Sequence, residues 1–338
     1  MTEFLETVSY ADDDLTLPAI AVVVIGRNEG QRLIDCLASL ASYAGRTVYV
    51  DSGSTDGSCE AARRFGVQVV ELDMKQPFTA ARARNAGYRE LCKKWSDTRY
   101  VQFVDGDCRV DDDWIATAWR FMAARPDVAI VFGRRRESHP DHSVYNQLCD
   151  REWDGLPGDV MECGGDIFVR VQALDAAGGY RASLIAGEEP ELCVRLRELG
   201  WKIWRLDHEM TLHDANMTTI RQWWQRNRRA GHAFAEVANL HWQSPQGIWK
   251  RSFLRTVIWG GVLPVVALAG AFVHPAALVL LLLYPLQMVR IAARDRFSIE
   301  GWRYGFFGVL GKFAEFHGTA TWMFRRLIGQ REKLIEYK

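Results

Sequence analysis

Three short apolar runs in the first 105 residues each stop abruptly in a loop of aspartate or glycine, and this pattern restricts the fold more than any other feature of the chain. Residues 19–25 (AIAVVVI) run into Gly26-Arg27-Asn28-Glu29-Gly30, residues 47–50 (TVYV) into Asp51-Ser52-Gly53-Ser54-Thr55-Asp56-Gly57, and residues 100–104 (YVQFV) into Asp105-Gly106-Asp107. Runs this short and this rich in β-branched residues read as strands buried on both faces of a sheet. Helical spacing follows them: Ile34, Leu37, Ala38 and Leu40 lead to Tyr43, a second helix runs to Phe65, and residues 79–91 form a third. With further strands at 67–72 and 129–133, the alternation predicts an α/β fold, a doubly wound and mostly parallel sheet with flanking helices. Loops then converge at the C-terminal edge of the strands, where ligands bind. No G-x-G-x-x-G follows the first strand, which excludes the dinucleotide fingerprint.

The loops at that edge carry the chemistry. Asp105 and Asp107 stand where a strand must end, because two carboxylates do not stay inside an apolar sheet without a partner. Two residues apart, they offer hard oxygen ligands to Mg²⁺ or Mn²⁺; the same residues also suit a polar turn into a helix capped by Asp111 to Asp113. Asp51 can accept from a nucleobase N–H or a ribose hydroxyl, while Ser54 or Asp56 would cap the next helix. Arg84 faces phosphate or solvent. Further on, Gly164-Gly165-Asp166 turns into a strand. Glu188, Glu189 and Glu191 open a helix, as dipole preferences alone would also favour, and His213 follows a strand.

Composition bears on location and partners. Lys+Arg and Asp+Glu number 42 each, a balance that argues against nucleic-acid binding. The seven cysteines form no C-x-x-C pair, so neither a zinc site nor a disulfide framework is expected, and a reducing compartment fits. The acidic N-terminus lacks the basic-then-apolar pattern of a cleavable signal, which predicts a cytoplasmic catalytic part. Residues 257–291, in contrast, contain no Asp, Glu or Lys and a single Arg, Arg290. Within and beside this run, residues 256–272 and 276–291 are two apolar segments flanked by Lys250, Arg251 and Arg255 before and Arg290, Arg294 and Arg296 after. Two thin spans, a re-entrant hairpin and a buried helical pair all match that pattern; Gly260, Gly261, Pro264 and Pro285 suit a membrane better than a soluble helix. Residues 220–241 and 302–328 mix aromatic and basic side chains, as helices at headgroup level do.

The ordered set AVVVIGRNEG, YVDSGSTDGS, ARARNAG, QFVDGDCRVDDDW, GGDIFVR, GEEPELCVRLRELGWKI and WWQRNRR resembles the family 2 glycosyltransferases, over roughly residues 20–231. The resemblance implies a GT-A fold, Rossmann-like, and inverting transfer of a sugar from a nucleoside diphosphate, UDP favoured over GDP. It implies that Asn28 and Glu29 line the nucleotide pocket, that Asp51 reads the base, and that Arg84, Gln225, Arg228 and Arg229 lie along the nucleotide sugar. Asp105 would meet the ribose or the metal's water shell, and Asp107, with His213, would hold a divalent metal. Gly165 and Asp166 would face the acceptor, and Glu189, or Glu188, would be the catalytic base. Three positions depart from the family pattern: Ser52 replaces the second Asp of a doublet, Glu189 stands for an Asp, and Arg229 occupies the Trp position of the Gln-x-x-Arg-Trp motif of processive synthases.

These readings divide the chain into an extension (1–18), a catalytic domain (19–215), interfacial helices (216–252), an apolar hairpin (253–293) and amphipathic C-terminal helices (294–338). The expected enzyme works at the cytoplasmic face of the inner membrane on a saccharide or lipid-linked acceptor. A polyprenyl-phosphate glycosyltransferase and a membrane-tethered nucleotide-binding regulator are the alternatives.

Overall fold

The computed structural model describes residues 20–330; the expected extension at 1–18, Ala19 of the first strand and residues 331–338 of the C-terminal region lie outside the described residues. Among the described residues, nine strands form one sheet: β1 Ile20–Gly26, β2 Thr47–Asp51, β3 Gln68–Glu71, β4 Tyr100–Asp105, β5 Cys108–Val110, β6 Val128–Glu137, β7 Gly158–Asp159, β8 Ile167–Arg170 and β9 Lys202–His213. Their order is β3-β2-β1-β4-β8-β6-β9-β5, with β7 on β9. The first four expected strands pair in parallel as β3-β2-β1-β4. Beyond them the sheet is mixed rather than doubly wound, because β8 lies antiparallel between β4 and β6. This insertion has a consequence for the site. Phe103 pairs with Ile167, so the start of β8, with Gly165 and Asp166 before it, comes to the edge where β4 ends at Asp105.

β9 runs on to His213. The stretch from Lys202 to His213 is one strand of 12 residues, parallel to β6 with three register shifts. Those irregularities and pairing with β5 bring His213 opposite both Cys108 and Glu137.

Alternation along β1 divides the core in two. Ala21, Val23 and Ile25 face the helices Ala80–Lys94 and Glu188–Glu198 through Ala83, Leu91, Leu192 and Leu196. Val22 and Val24 face the helices Gln31–Ser39 and Trp114–Ala124 through Leu33, Leu37, Trp114 and Met122. Period-2 side chains on a strand buried on both faces produce these two layers. One polar residue, Gln102, sits inside β4 and is satisfied by the Trp114 indole N–H at 2.8 Å. All seven cysteines are free thiols.

After the sheet come four helical stretches: Ile220–Leu240, Lys250–Ala271, Pro275–Arg294 and Ile299–Leu327. The second and third, of 22 and 20 residues, are long and apolar enough to cross a membrane. Helices Ile220–Leu240 and Ile299–Leu327 pack at backbone contact. A Cβ on Gly231 would lie 1.9 Å from the Glu315 carbonyl oxygen, and one on Gly318 would lie 1.9 Å from that of Arg228.

Candidate active site

Asp105 ends β4 with its carboxylate clamped between two guanidinium groups. Arg84 donates to Oδ1 at 2.8 Å, and Arg135 to Oδ2 at 3.3 Å. Arg84 is itself buried, and its fork reaches Glu188 at 2.9 Å and Glu189 at 2.7 Å. Burial opposes its charge, but the carboxylates of Glu189, Asp105 and Glu188 outweigh that and hold Arg84 firmly cationic. There is no room for a side chain at 165: a Cβ would stand 2.5 Å from Arg84 Nη2 and 2.9 Å from Asp105 Oδ2. Glycine here lets β8 start beside the Arg84–Asp105 pair.

Asp107, two residues on, is buried and faces His213, whose Nε2 lies 3.3 Å from Oδ2. With Cys108 these two form the one group of three potential metal ligands found among the described residues. Burial pushes the Cys108 thiol well above its ordinary range. Burial also lowers the His213 pKa, and neutral imidazole is the ligating form. His213 Nδ1 is buried without a hydrogen bond, because Glu137 stands 3.9 Å away, too far to accept one. The ring is held edge-on to Trp153, centroids 4.8 Å apart. A carboxylate oxygen and a neutral imidazole nitrogen converging at the end of a sheet fit a divalent cation.

These groups open into a cleft of about 490 Å³. Asn28, Glu29, Asp105, Asp107, His213 and Arg229, expected from the sequence, line it, and so do Arg135, Trp153 and Arg226. Asn28, at φ 55°, ties two loops together, donating its N–H to Ser54 Oγ and accepting from the Thr55 N–H.

Other expected residues are placed differently. Asp51 is buried, and its carboxylate accepts from Tyr49 Oη at 3.0 Å and from the Gly53 and Ser54 N–H groups at 2.8 Å each. Reading a base with that side chain would mean giving up part of this turn. Asp166 is also internal: it accepts from the Asp105 N–H, from Arg135 and from Thr211 Oγ1, so it braces β4 against β6 and β9 instead of facing an acceptor. Glu188 and Glu189 lie in the first turn of their helix, outside the cleft lining. Burial, the main cause, pushes Glu189 up to about 7, while Arg84 works in the opposite direction. Gln225 accepts from Arg228 at 3.4 Å, one turn along the helix that carries Arg229.

Sequence reading missed Arg135, and the signal was there. In the run Arg134-Arg135-Arg136 on β6, the outer two pair with Asp207 and Asp150 while the middle one points to the opposite face, toward Asp105 and Asp166. Three arginines ending a strand cannot all face one way. Arg226 was legible only as part of a basic helix, since its place in the cleft depends on how that helix docks.

Residues 21–174 match Glycosyl transferase family 2. Succinoglycan biosynthesis protein ExoA of Rhizobium meliloti is 26% identical over 231 residues, covering 64% of this chain and 69% of that protein. Glycosyltransferase AglE of Haloferax volcanii is 23% identical over 203 residues, covering 56% and 64% respectively. Among solved structures, mannosyltransferase PcManGT from Pyrobaculum calidifontis, in complex with GDP-Man and Mn²⁺, superposes with a TM-score of 0.60 at 15% identity, over 90% of this chain and 87% of that one. Residues 1–349 of S. aureus TarS superpose at 0.52 and 13% identity, over 92% of both chains. These likenesses show the GT-A fold, and the matched segment, residues 21–174, is similar to the family 2 glycosyltransferases.

Proposed function

We infer that this enzyme moves a sugar from a nucleoside-diphosphate donor to a hydroxyl of a saccharide or lipid-linked acceptor at a membrane surface, with inversion, as a step in exopolysaccharide or glycolipid assembly. The convergence of Asp107 and His213 at one end of a cleft whose lining includes Arg226 and Arg229 carries the reading. A diphosphate gains negative charge as its bond to the sugar breaks, and cationic groups fixed in advance lower the energy of that state. Asp107 and His213 would hold the cation, Mg²⁺ or Mn²⁺, which supplies electrostatic stabilisation of the leaving group. Arg229 and Arg226 would meet the phosphates. Asp105, locked by Arg84 and Arg135, offers the ribose a carboxylate whose position is already set.

The acceptor hydroxyl must lose a proton. Glu189 is the proposed base: Arg84 engages its Oε1, Oε2 is the oxygen that would take the proton, and a pKa near 7 suits a general base at neutral pH. A single displacement with no protein nucleophile inverts the anomeric carbon. Names of relatives support the pathway assignment: ExoA is a succinoglycan biosynthesis protein and AglE a glycosyltransferase. PcManGT was solved with GDP-Man, so GDP sugars belong beside UDP sugars in any test.

The test is a panel of nucleotide sugars with the detergent-solubilised full chain, scoring nucleoside diphosphate release with and without lipid extract and chelator. One donor should be turned over, with release lost on chelation and raised by lipid. Binding without release from any donor would overturn the reading.

A further inference from the structure

We propose that Glu137 orients His213 toward a divalent cation, by accepting the Nδ1 proton of its imidazole once Nε2 is engaged. The inference rests on the metal part of the reading above and adds a positioning residue to it.

Glu137 ends β6 directly opposite His213, the last residue of β9. The Ser138 N–H donates to the His213 carbonyl at 2.9 Å, so the two main chains are tied together and any adjustment between the pair falls to their side chains. The Glu137 side chain has no exposed surface, and three donors hold its carboxylate. Oε1 accepts from the His139 N–H and from Asn146 Nδ2 at 3.1 Å each, and Oε2 accepts from the Ala215 N–H at 3.0 Å. Among the described residues no arginine or lysine forms an ion pair with it. Oε2 is also the oxygen that stands 3.9 Å from His213 Nδ1, and that nitrogen is itself buried without a partner. Two buried polar atoms that face each other and do not bond call for a reason.

The proton supplies it. A neutral imidazole has one N–H and one lone pair, and both nitrogens of this ring face a carboxylate: Nε2 lies 3.3 Å from Asp107 Oδ2, and Nδ1 lies 3.9 Å from Glu137 Oε2. The nearer carboxylate takes the N–H. Nδ1 then turns a lone pair on Glu137, and two acceptors keep apart, which accounts for the gap. Ligation through Nε2 reverses this. That nitrogen must give its lone pair to the cation, so the single proton passes to Nδ1; it leaves one nitrogen to water and returns from water to the other, with no net gain or loss. The contact with Glu137 becomes N–H to carboxylate, and closing it to about 2.8 Å asks the ring to move by only about 1 Å. A histidine that ligates a metal is ordinarily oriented by an acceptor on its other nitrogen, and Glu137 is the carboxylate placed to be one.

Mn²⁺ alone, titrated by calorimetry into the detergent-solubilised full chain, is the first probe. Glu137→Gln should weaken Mn²⁺ binding by at least about tenfold, and a smaller loss would overturn the proposal. Glu137 also holds Asn146 and Ala215, so the unmutated chain supplies a second readout that a disturbed loop does not move. In ¹⁵N-histidine NMR, with His213 assigned by loss of its signals in His213→Gln, the proton should sit on Nε2 without added ion and on Nδ1 at a Mg²⁺ concentration that displaces Mn²⁺. A proton on Nδ1 before Mg²⁺ is added, or still on Nε2 afterwards, would overturn it. Nucleoside diphosphate release by the wild type is scored separately. Metal-dependent release with an unmoved proton would overturn only the role of Glu137, whereas a wild-type chain that neither binds Mn²⁺ nor loses release on chelation would overturn the cation site as well.

Discussion

At the scale of single residues, the two acidic groups assigned to chemistry differ in what holds them. Asp107 faces His213 in a pocket lined for a cation, so Asp107→Ala should remove leaving-group stabilisation and lower kcat/KM by on the order of 10² or more. Far-UV circular dichroism should be unchanged; near-normal turnover would sink the metal assignment. Glu189 makes a pH prediction whose sign is fixed. Its carboxyl is raised to about 7 by burial, so it is protonated and inactive as a base below that pH and ionised above it. Turnover should therefore rise tenfold per unit on the acid side and level off above about 7. Glu189→Gln should abolish turnover and, with it, that acid limb, while donor binding by calorimetry persists. If Glu189→Gln retains both activity and the limb, Glu188 becomes the base to examine.

Elements decide whether those residues meet. The strand runs, their loops and the approximate helices could be read from AIAVVVI, TVYV and YVQFV, because local apolar patterning specifies a buried strand. The reversal of β8 could not, since IFVR has the same pattern in either direction and only its partners fix its sense. The place of Asp166 depends on that sense: in the sequence it is a polar residue beside a glycine turn, and in the fold it accepts three donors inside the sheet. Gly165 shows what the reversal requires. Adding one methyl there should push Arg84 off Asp105, so Gly165→Ala is expected to cost about 1–3 kcal/mol in urea unfolding and at least tenfold in kcat. A wild-type urea midpoint together with wild-type kcat would show that the Arg84 fork is not needed.

For the whole molecule, the match to the family ends at residue 174, yet one part of the cleft wall lies well beyond it. Arg226 and Arg229 reach the cleft from helix Ile220–Leu240, and that helix is set in place from behind by helix Ile299–Leu327. Sequence patterning marked both helices as aromatic and basic, which suits a headgroup surface; a place at the cleft was expected for the first through Gln225, Arg228 and Arg229, and the bracing by the second was not, since glycine at 231 and 318 is informative only once the two backbones are seen to touch. On the proposed reading, the C-terminal helices would couple membrane seating to donor binding. Gly318→Ala tests the coupling, because its Cβ would stand 1.9 Å from the Arg228 carbonyl oxygen and 2.9 Å from the His232 nitrogen, forcing the helices apart. Position 318 does not line the cleft, and the substitution adds no charge. Donor KM should nonetheless rise severalfold as Arg226 and Arg229 move, with kcat reduced less, because Asp107, His213 and Glu189 are carried by the sheet and by another helix. The control is Gly308→Ala on the same helix, where a Cβ meets only the end of Ile291 at 3.7 Å, and its kinetics should match the wild type. A Gly318→Ala enzyme with unaltered donor KM would mean that the basic wall is positioned by the catalytic domain alone.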